Sequence, residues 1–384
     1  MESAEGMNCD RHHIIQSVVM ACFSRQMRPD RPECVPRALR KPDQMRFDHV
    51  QSLRFFGAFA VLLYHAGVYA EQRLGAVPFG GWLGVQLSWG VQLFFVISGF
   101  VLAYSLSRMG PGRFLAHRIL RIYPPLWGLA LLVWLYRGTA DMSGAQFLQA
   151  MTLLPLGEIR YPLGVEWSLV YEVFFYGVMT LLACLPGRRT MEVAMLAWLA
   201  AIVVMDRLHP GASTAFLPRA DQIVFSGFNV PFIFGVLCFS LFRATRRLPL
   251  ALLLVVFLLA LPAATAVAKT EYQLALQGLG FAALVLAAAE ASRRRTGIGD
   301  ALLVRLGDAS YGLYLAHVPV LLWLLSALPA ARLGSPEAVL LIAVPATFLL
   351  GTGYGMLEAA AYRRVKGWLD RGGRVRLASR NTSA

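Results

Sequence analysis

The sequence predicts an all-α protein: a polytopic transmembrane helix bundle of about ten spans, with both termini cytoplasmic. Three observations predict it. The 384-residue chain is 57% hydrophobic and only 15% charged, with a mean hydropathy of +0.56, a balance that water-soluble domains rarely reach. Charge-free stretches such as PLALLLVVFLLALPAATAVA (249–268) are long enough to cross ~30 Å of hydrocarbon. Basic residues also fall in alternate connections. Ten spans fit: 51–69, 84–105, 122–136, 165–185, 190–206, 221–242, 249–268, 272–291, 310–330 and 336–360. With the N-terminus inside, the inner segments hold 29 of the 36 Lys and Arg and the outer loops hold 7, as the positive-inside rule requires. Adding or dropping one span would put basic clusters outside. The net charge of +14 therefore reflects topology and attraction to anionic lipid, and no nucleic-acid partner is expected.

The head of the chain, residues 1–45, is polar and of mixed charge. Its apolar patch IIQSVVMACF (14–23) is too short to span, and it lacks the layout of a signal peptide. We expect it to be a disordered tail, or untranslated with the start at Met45. The membrane domain is expected over 46–362, followed by a basic cytoplasmic tail, 363–384. The five Cys (9, 22, 34, 184 and 238) show no paired spacing. Cys184 and Cys238 lie in spans and read as small apolar residues, so neither a disulfide framework nor a metal site is expected.

The first span, SLRFFGAFAVLLYHAG (52–67), carries Arg54 and His65 eleven positions apart. On a helix that offset is roughly 20° from three full turns, so both share one face, ~16 Å apart along the axis. Ionisable groups at membrane depth cost ~3 kcal/mol or more and so mark function by default. Arg54 is also near enough to the inner face to snorkel. The second span, GVQLFFVISGFVLAYS (90–105), has Ser98-Gly99 at its middle, a pair suited first to close helix packing. Arg118 and Arg121 precede the third span at i, i+3 and point the same way. Two guanidinium forks at the inner surface suit a phosphorylated cytoplasmic ligand, although positive-inside charge alone would also account for them. Pro124 and Pro125 suit that span's first turn.

On the fourth span, VEWSLVYEVFFYGVM, Glu172 falls at a depth similar to that of His65, because the two spans run in opposite directions. A carboxylate beside an imidazole fixes its tautomer and raises its basicity, which suits a general base. The fifth to eighth spans carry little polar signal. The ninth opens with GDASYGLYLAHVPV (307–320), where Asp308 or Ser310 suits an N-cap and His317 reads as structural. The tenth ends in the basic tail.

Five of these pieces, VQSLRFFGAFAVLLYH (50–65), GVQLFFVISGF (90–100), RFLAHRILRIYPPLW (113–127), GVEWSLVYEVFFY (164–176) and LGDASYGLYLAH (306–317), together resemble the acyltransferase-3 family of integral membrane O-acyltransferases. The likeness is strongest to members that decorate exopolysaccharide and lipopolysaccharide sugars. It implies transfer of an acyl group, usually acetyl from acetyl-CoA, to a sugar hydroxyl across the inner (plasma) membrane. Arg54 and His65 match the family's Arg–His pair. Arg118 and Arg121 match its cytoplasmic R-x-x-R, associated with the CoA donor, and Tyr123 continues that motif. Glu172 matches the acidic position after W-S-L. Gln51 and Gln92 stand where many members have Asp, and Leu126 where Tyr is common, which alters the network around Arg54.

The expected catalytic residues are therefore His65 and Glu172, and the expected donor-binding residues are Arg54, Arg118, Arg121 and Tyr123. The expected partners are acyl-CoA, a saccharide acceptor and the bilayer, with no metal. His65, oriented by Glu172, would act as general base or, alternatively, as the nucleophile of an acyl-His route. A proton-coupled transporter would also use buried Arg, His and Glu, but would show repeated broken spans. A non-catalytic scaffold would not need His65.

Overall fold

The computed structural model describes residues 45–75, 77–81, 84–138, 141–187, 189–209, 216–267, 270–294, 301–328 and 335–381, with backbone alone at 79–80, 270–271 and 368–381. The expectations for residues 1–44 lie outside the described residues.

The chain folds as helices. Helix α1 is Asp48–Leu74, with Asp48 in its first turn and a left-handed Gly75 closing its end onto the Glu71 carbonyl. Two 3-10 turns lead to α2, Gly90–Leu106. There follow α3, Pro111–Arg137; α4, Gly144–Met151; α5, Glu166–Leu182; and α6, Thr190–Leu208. The remainder are α7, Asn229–Ala244; α8, Leu250–Ala266; α9, Thr270–Arg294; α10, Ala301–Ala327; and α11, Pro336–Asn381. Among the described residues there is no strand, only an isolated bridge between Leu156 and Arg219.

Each of the ten expected spans coincides with a helix. Six are long and apolar enough to cross a membrane, and α7 and α8 are shorter apolar helices. The chain is therefore a multi-pass helical membrane protein.

Two boundaries differ from the sequence reading. The third span was expected to start at 122 with its prolines in the first turn, but α3 begins at Pro111 and carries Pro124 and Pro125 in its interior. Neighbouring helices donate to carbonyls close to the prolines: Tyr311 to Ile122 (2.9 Å) and Tyr354 to Pro125 (2.6 Å). The early start places Arg118 and Arg121 on the helix itself. The tenth span was expected to end at 360, yet α11 continues to Asn381.

Packing relies on close backbone approach and on rings. A Cβ on Gly99 of α2 would collide with the Phe232 carbonyl of α7, and one on Gly235 with the Val96 carbonyl, so these backbones touch as small residues allow. Gly312 of α10 and Gly355 of α11 meet in the same way. Phe95, Phe232, Phe175 and Trp198 stack in series, at 4.5, 4.2 and 5.7 Å between centroids, tying α2, α7, α5 and α6 together.

The segment between α3 and α5 is not a free loop. Helix α4 opens with a reciprocal Ser143–Gln146 capping box and lies along the C-terminal half of α3. Trp134 and Trp127 donate their indole N–H to Met142 and Met151 carbonyls (2.8 and 3.1 Å).

Candidate active site

A cavity in the middle of the bundle is lined by Arg54 from α1, Ser98 from α2, Arg118 and Arg121 from α3, Glu172 and Tyr176 from α5, and Tyr311 and Tyr314 from α10. It is narrow: the centre of a water molecule can explore about 80 Å³ of it. The one-and-a-half turns between the start of α1 and Arg54, and the i, i+3 spacing on α3, aim all three guanidinium groups inward.

The three arginines are satisfied differently. Arg118 donates to the Ser105 hydroxyl (2.6 Å) and lies over the rings of Phe114 (5.4 Å) and Tyr176 (5.9 Å). Arg121 pairs with the Glu358 carboxylate of α11 and sits between the Tyr311 and Tyr362 rings at 5.5 and 5.4 Å. Arg54 keeps its Nε buried with no hydrogen-bond partner. A buried, unpartnered guanidinium nitrogen is costly and marks a place prepared for an anionic or accepting group.

His65 lies three turns further along α1 on the same face as Arg54, half-buried against α10. Its Nδ1 is 3.0 Å from the Val61 carbonyl and 3.1 Å from His317 Nε2. The His317 Nδ1 is in turn 2.6 Å from the Tyr314 carbonyl. The network assigns the protons. His317 Nδ1–H donates to Tyr314, so its Nε2 carries a lone pair. His65 Nδ1–H then donates to Val61 and to His317, which leaves His65 Nε2 with the lone pair a general base needs. The rings of Tyr69 (5.7 Å) and Tyr64 (5.2 Å) flank the imidazole.

Two expectations are corrected. Glu172 does not orient His65. Its Oε1 accepts from Ser98 (3.1 Å) and Tyr176 (2.5 Å) inside the arginine cavity, and His317 is the cross-helix partner of His65 instead. Matching depth fixes height along the membrane but not direction around it: α1 packs mainly on α10 and α2, whereas α5 packs on α3 and α2. Tyr123 does not join Arg118 and Arg121. It lies ~200° around the helix from Arg121, and its hydroxyl donates to the Thr152 carbonyl (2.9 Å) just past α4. Arg54, Arg118 and Arg121 do converge as expected.

The sequence reading took His317, with Tyr311 and Tyr314 a turn or two before it, as structural, although their i, i+3, i+6 spacing was a readable signal that all three face one side. Glu358 carried none, since it sits near the basic end of the last span and reads as surface charge. Gln51, one of the departures from the family pattern, donates to Asp308 (2.8 Å); an acid there would face another carboxylate. Among the described residues, no group of three or more His, Cys, Asp or Glu could hold a metal ion.

Residues 48–356 match the family model described as an acyltransferase domain. Among curated proteins, the chain is 28% identical over 318 residues to an acyltransferase, MdmB, of Streptomyces mycarofaciens, covering 73% of this chain and 80% of that one. It is 27% identical over 290 residues to the exopolysaccharide production protein ExoZ of Rhizobium meliloti (strain 1021), covering 72% and 89%. No solved structure matches. A family match across most of the chain, carried on a bundle that unites three arginines and a tautomer-fixed histidine, settles the class: this chain belongs to the acyltransferase domain family and is a membrane acyltransferase.

Proposed function

We propose that the enzyme moves an acyl group, acetyl in the simplest case, from cytoplasmic acyl-CoA to a hydroxyl of a cell-surface or exported polysaccharide, at the inner membrane. The observation that carries this reading is the convergence of Arg54, Arg118 and Arg121 on one cavity, with a histidine three turns further along α1 whose lone pair is fixed by hydrogen bonds. Arg118 and Arg121 lie toward the basic end of the bundle, which the positive-inside rule assigns to the cytoplasm. There they receive the donor's phosphates, with Arg54 deeper. Glu172 balances part of that positive charge. The donor supplies an activated thioester. His65 Nε2 accepts the proton of the sugar hydroxyl as its oxygen attacks the acyl carbon; the carbon–sulfur bond then breaks, and the imidazolium's proton passes to the departing thiolate.

The polysaccharide acceptor is supported by the likeness to a protein named for exopolysaccharide production. The test is the O-acyl content of surface polysaccharide in a strain lacking the protein, complemented with wild type or with His65→Ala at equal membrane levels. Restoration by wild type alone supports the reading. Restoration by both removes His65 from the chemistry. Restoration by neither removes the envelope polysaccharide as acceptor.

A further inference from the structure

In the structure, an anion already sits on one of the arginines proposed to hold the donor. Glu358 reaches from α11 to Arg121. It is the carboxylate ion-paired to a cavity arginine among the described residues, since Glu172 is engaged by the hydroxyls of Ser98 and Tyr176. Its pairing is half complete: Glu358 is 8% exposed, and its Oε2 is buried with no hydrogen-bond partner. A structural salt bridge at this depth should satisfy both oxygens to offset desolvation.

The surroundings also give the carboxylate somewhere to go. Arg121 lines the arginine cavity, whereas Glu358 lines a second, largely apolar groove between α3 and α11, bounded by Leu120, Pro124, Tyr354 and Tyr362. The groove leaves about 320 Å³ for the centres of water molecules. The ion pair thus stands in the wall between two voids. Rotation of Glu358 toward the groove would free Arg121 without moving a helix. Tyr311 and Tyr362 would keep the guanidinium in place from either side.

We propose that Glu358 is a built-in competitor for the donor's phosphate: it occupies Arg121 in the empty enzyme and yields it when the donor binds. This rests on the donor site proposed above. The exchange replaces one anion by another on Arg121, so the cavity never holds three uncompensated guanidinium charges. It also sets specificity. A thioester without phosphates cannot displace the carboxylate, so it meets a closed Arg121.

The test is titration of the purified full-length protein in lipid nanodiscs with coenzyme A, and with adenosine 3′,5′-bisphosphate as a probe that keeps nucleotide phosphates but lacks the pantetheine arm. Arg118→Ala is expected to weaken both. Glu358→Gln, which keeps the shape but loses the charge, is expected to bind both about tenfold more tightly, a change of ~1.4 kcal/mol. If Arg118→Ala weakens binding but Glu358→Gln leaves it unchanged or weaker, the donor site stands, Glu358 is a structural tie and the proposal is overturned. If Arg118→Ala has no effect, the donor-site reading fails and this proposal falls with it. Should Glu358→Gln fail to fold, Glu358→Asp draws the charge back by one methylene. Tighter binding then supports the proposal, and unchanged or weaker binding overturns it.

Discussion

His317 is expected to govern the efficiency of His65 without taking part in the chemistry. The perturbation is His317→Phe, which keeps a ring of similar size in a site where His317 is 1% exposed and so avoids a large cavity. The structure sets the magnitude. Phe removes the 3.1 Å contact that steadies His65 Nδ1 but leaves the 3.0 Å contact with the Val61 carbonyl. The tautomer survives and one neutral hydrogen bond is lost. Such a bond contributes about 0.5–1.5 kcal/mol, which corresponds to a roughly two- to twelvefold fall in turnover. Removing His65 itself removes a general base, worth roughly 10²–10⁴-fold. The assay is steady-state acyl transfer in nanodiscs with donor and acceptor varied separately. His317→Phe should lower kcat with little effect on donor KM. His317→Gln, whose amide oxygen can accept in place of Nε2, should recover part of the loss. Two results would refute the reasoning: His317→Phe as inactive as His65→Ala, or His317→Phe as active as wild type.

Other expectations follow from single contacts. Arg54→Ala, which removes the guanidinium with the unpartnered Nε, should raise donor KM about tenfold or more while leaving thermal stability near wild type; an unchanged KM would remove Arg54 from the donor site. Tyr123→Phe loses only its bond to Thr152 and should lower stability by about 0.5–1.5 kcal/mol with donor KM unaltered, measured by thermal unfolding and kinetics side by side. Gly99→Ala places a methyl against the Phe232 carbonyl and should destabilise by about 1–3 kcal/mol, read as a lowered unfolding temperature in detergent, with no specific effect on donor KM in the fraction that folds.

The helices were legible because membrane solvent leaves a strong signal. Charge-free runs and alternating basic connections placed each of the ten expected spans on a helix, six of them long and apolar enough to cross a membrane, and the Arg54–His65 offset put both residues on one face. What the sequence did not carry was azimuth. The depth of Glu172 was readable, but which neighbour α5 faces depends on packing, and contacts such as Gly99 on Gly235 decide that. The start of α3 was missed for a related reason: two prolines read as a beginning, whereas the helix runs through them, packed against hydroxyls of α10 and α11 that are distant in sequence. Glu358 was illegible because a lone acid near a basic end has meaning only beside Arg121, 237 residues away.

The attachment of α4 to α3 bears on how such enzymes can be recombined. One half of α3 carries Arg118 and Arg121; the other is fastened by Trp127, Trp134 and Tyr123 to the segment 142–152. A chimera that swaps residues 138–165 alone would leave four hydrogen-bond donors of α3 facing foreign carbonyls, these three and Arg137, which donates to the Pro162 carbonyl. A junction at Ile122, between the two halves of the helix, would transplant the loop together with its anchors and leave the arginines with their original owner.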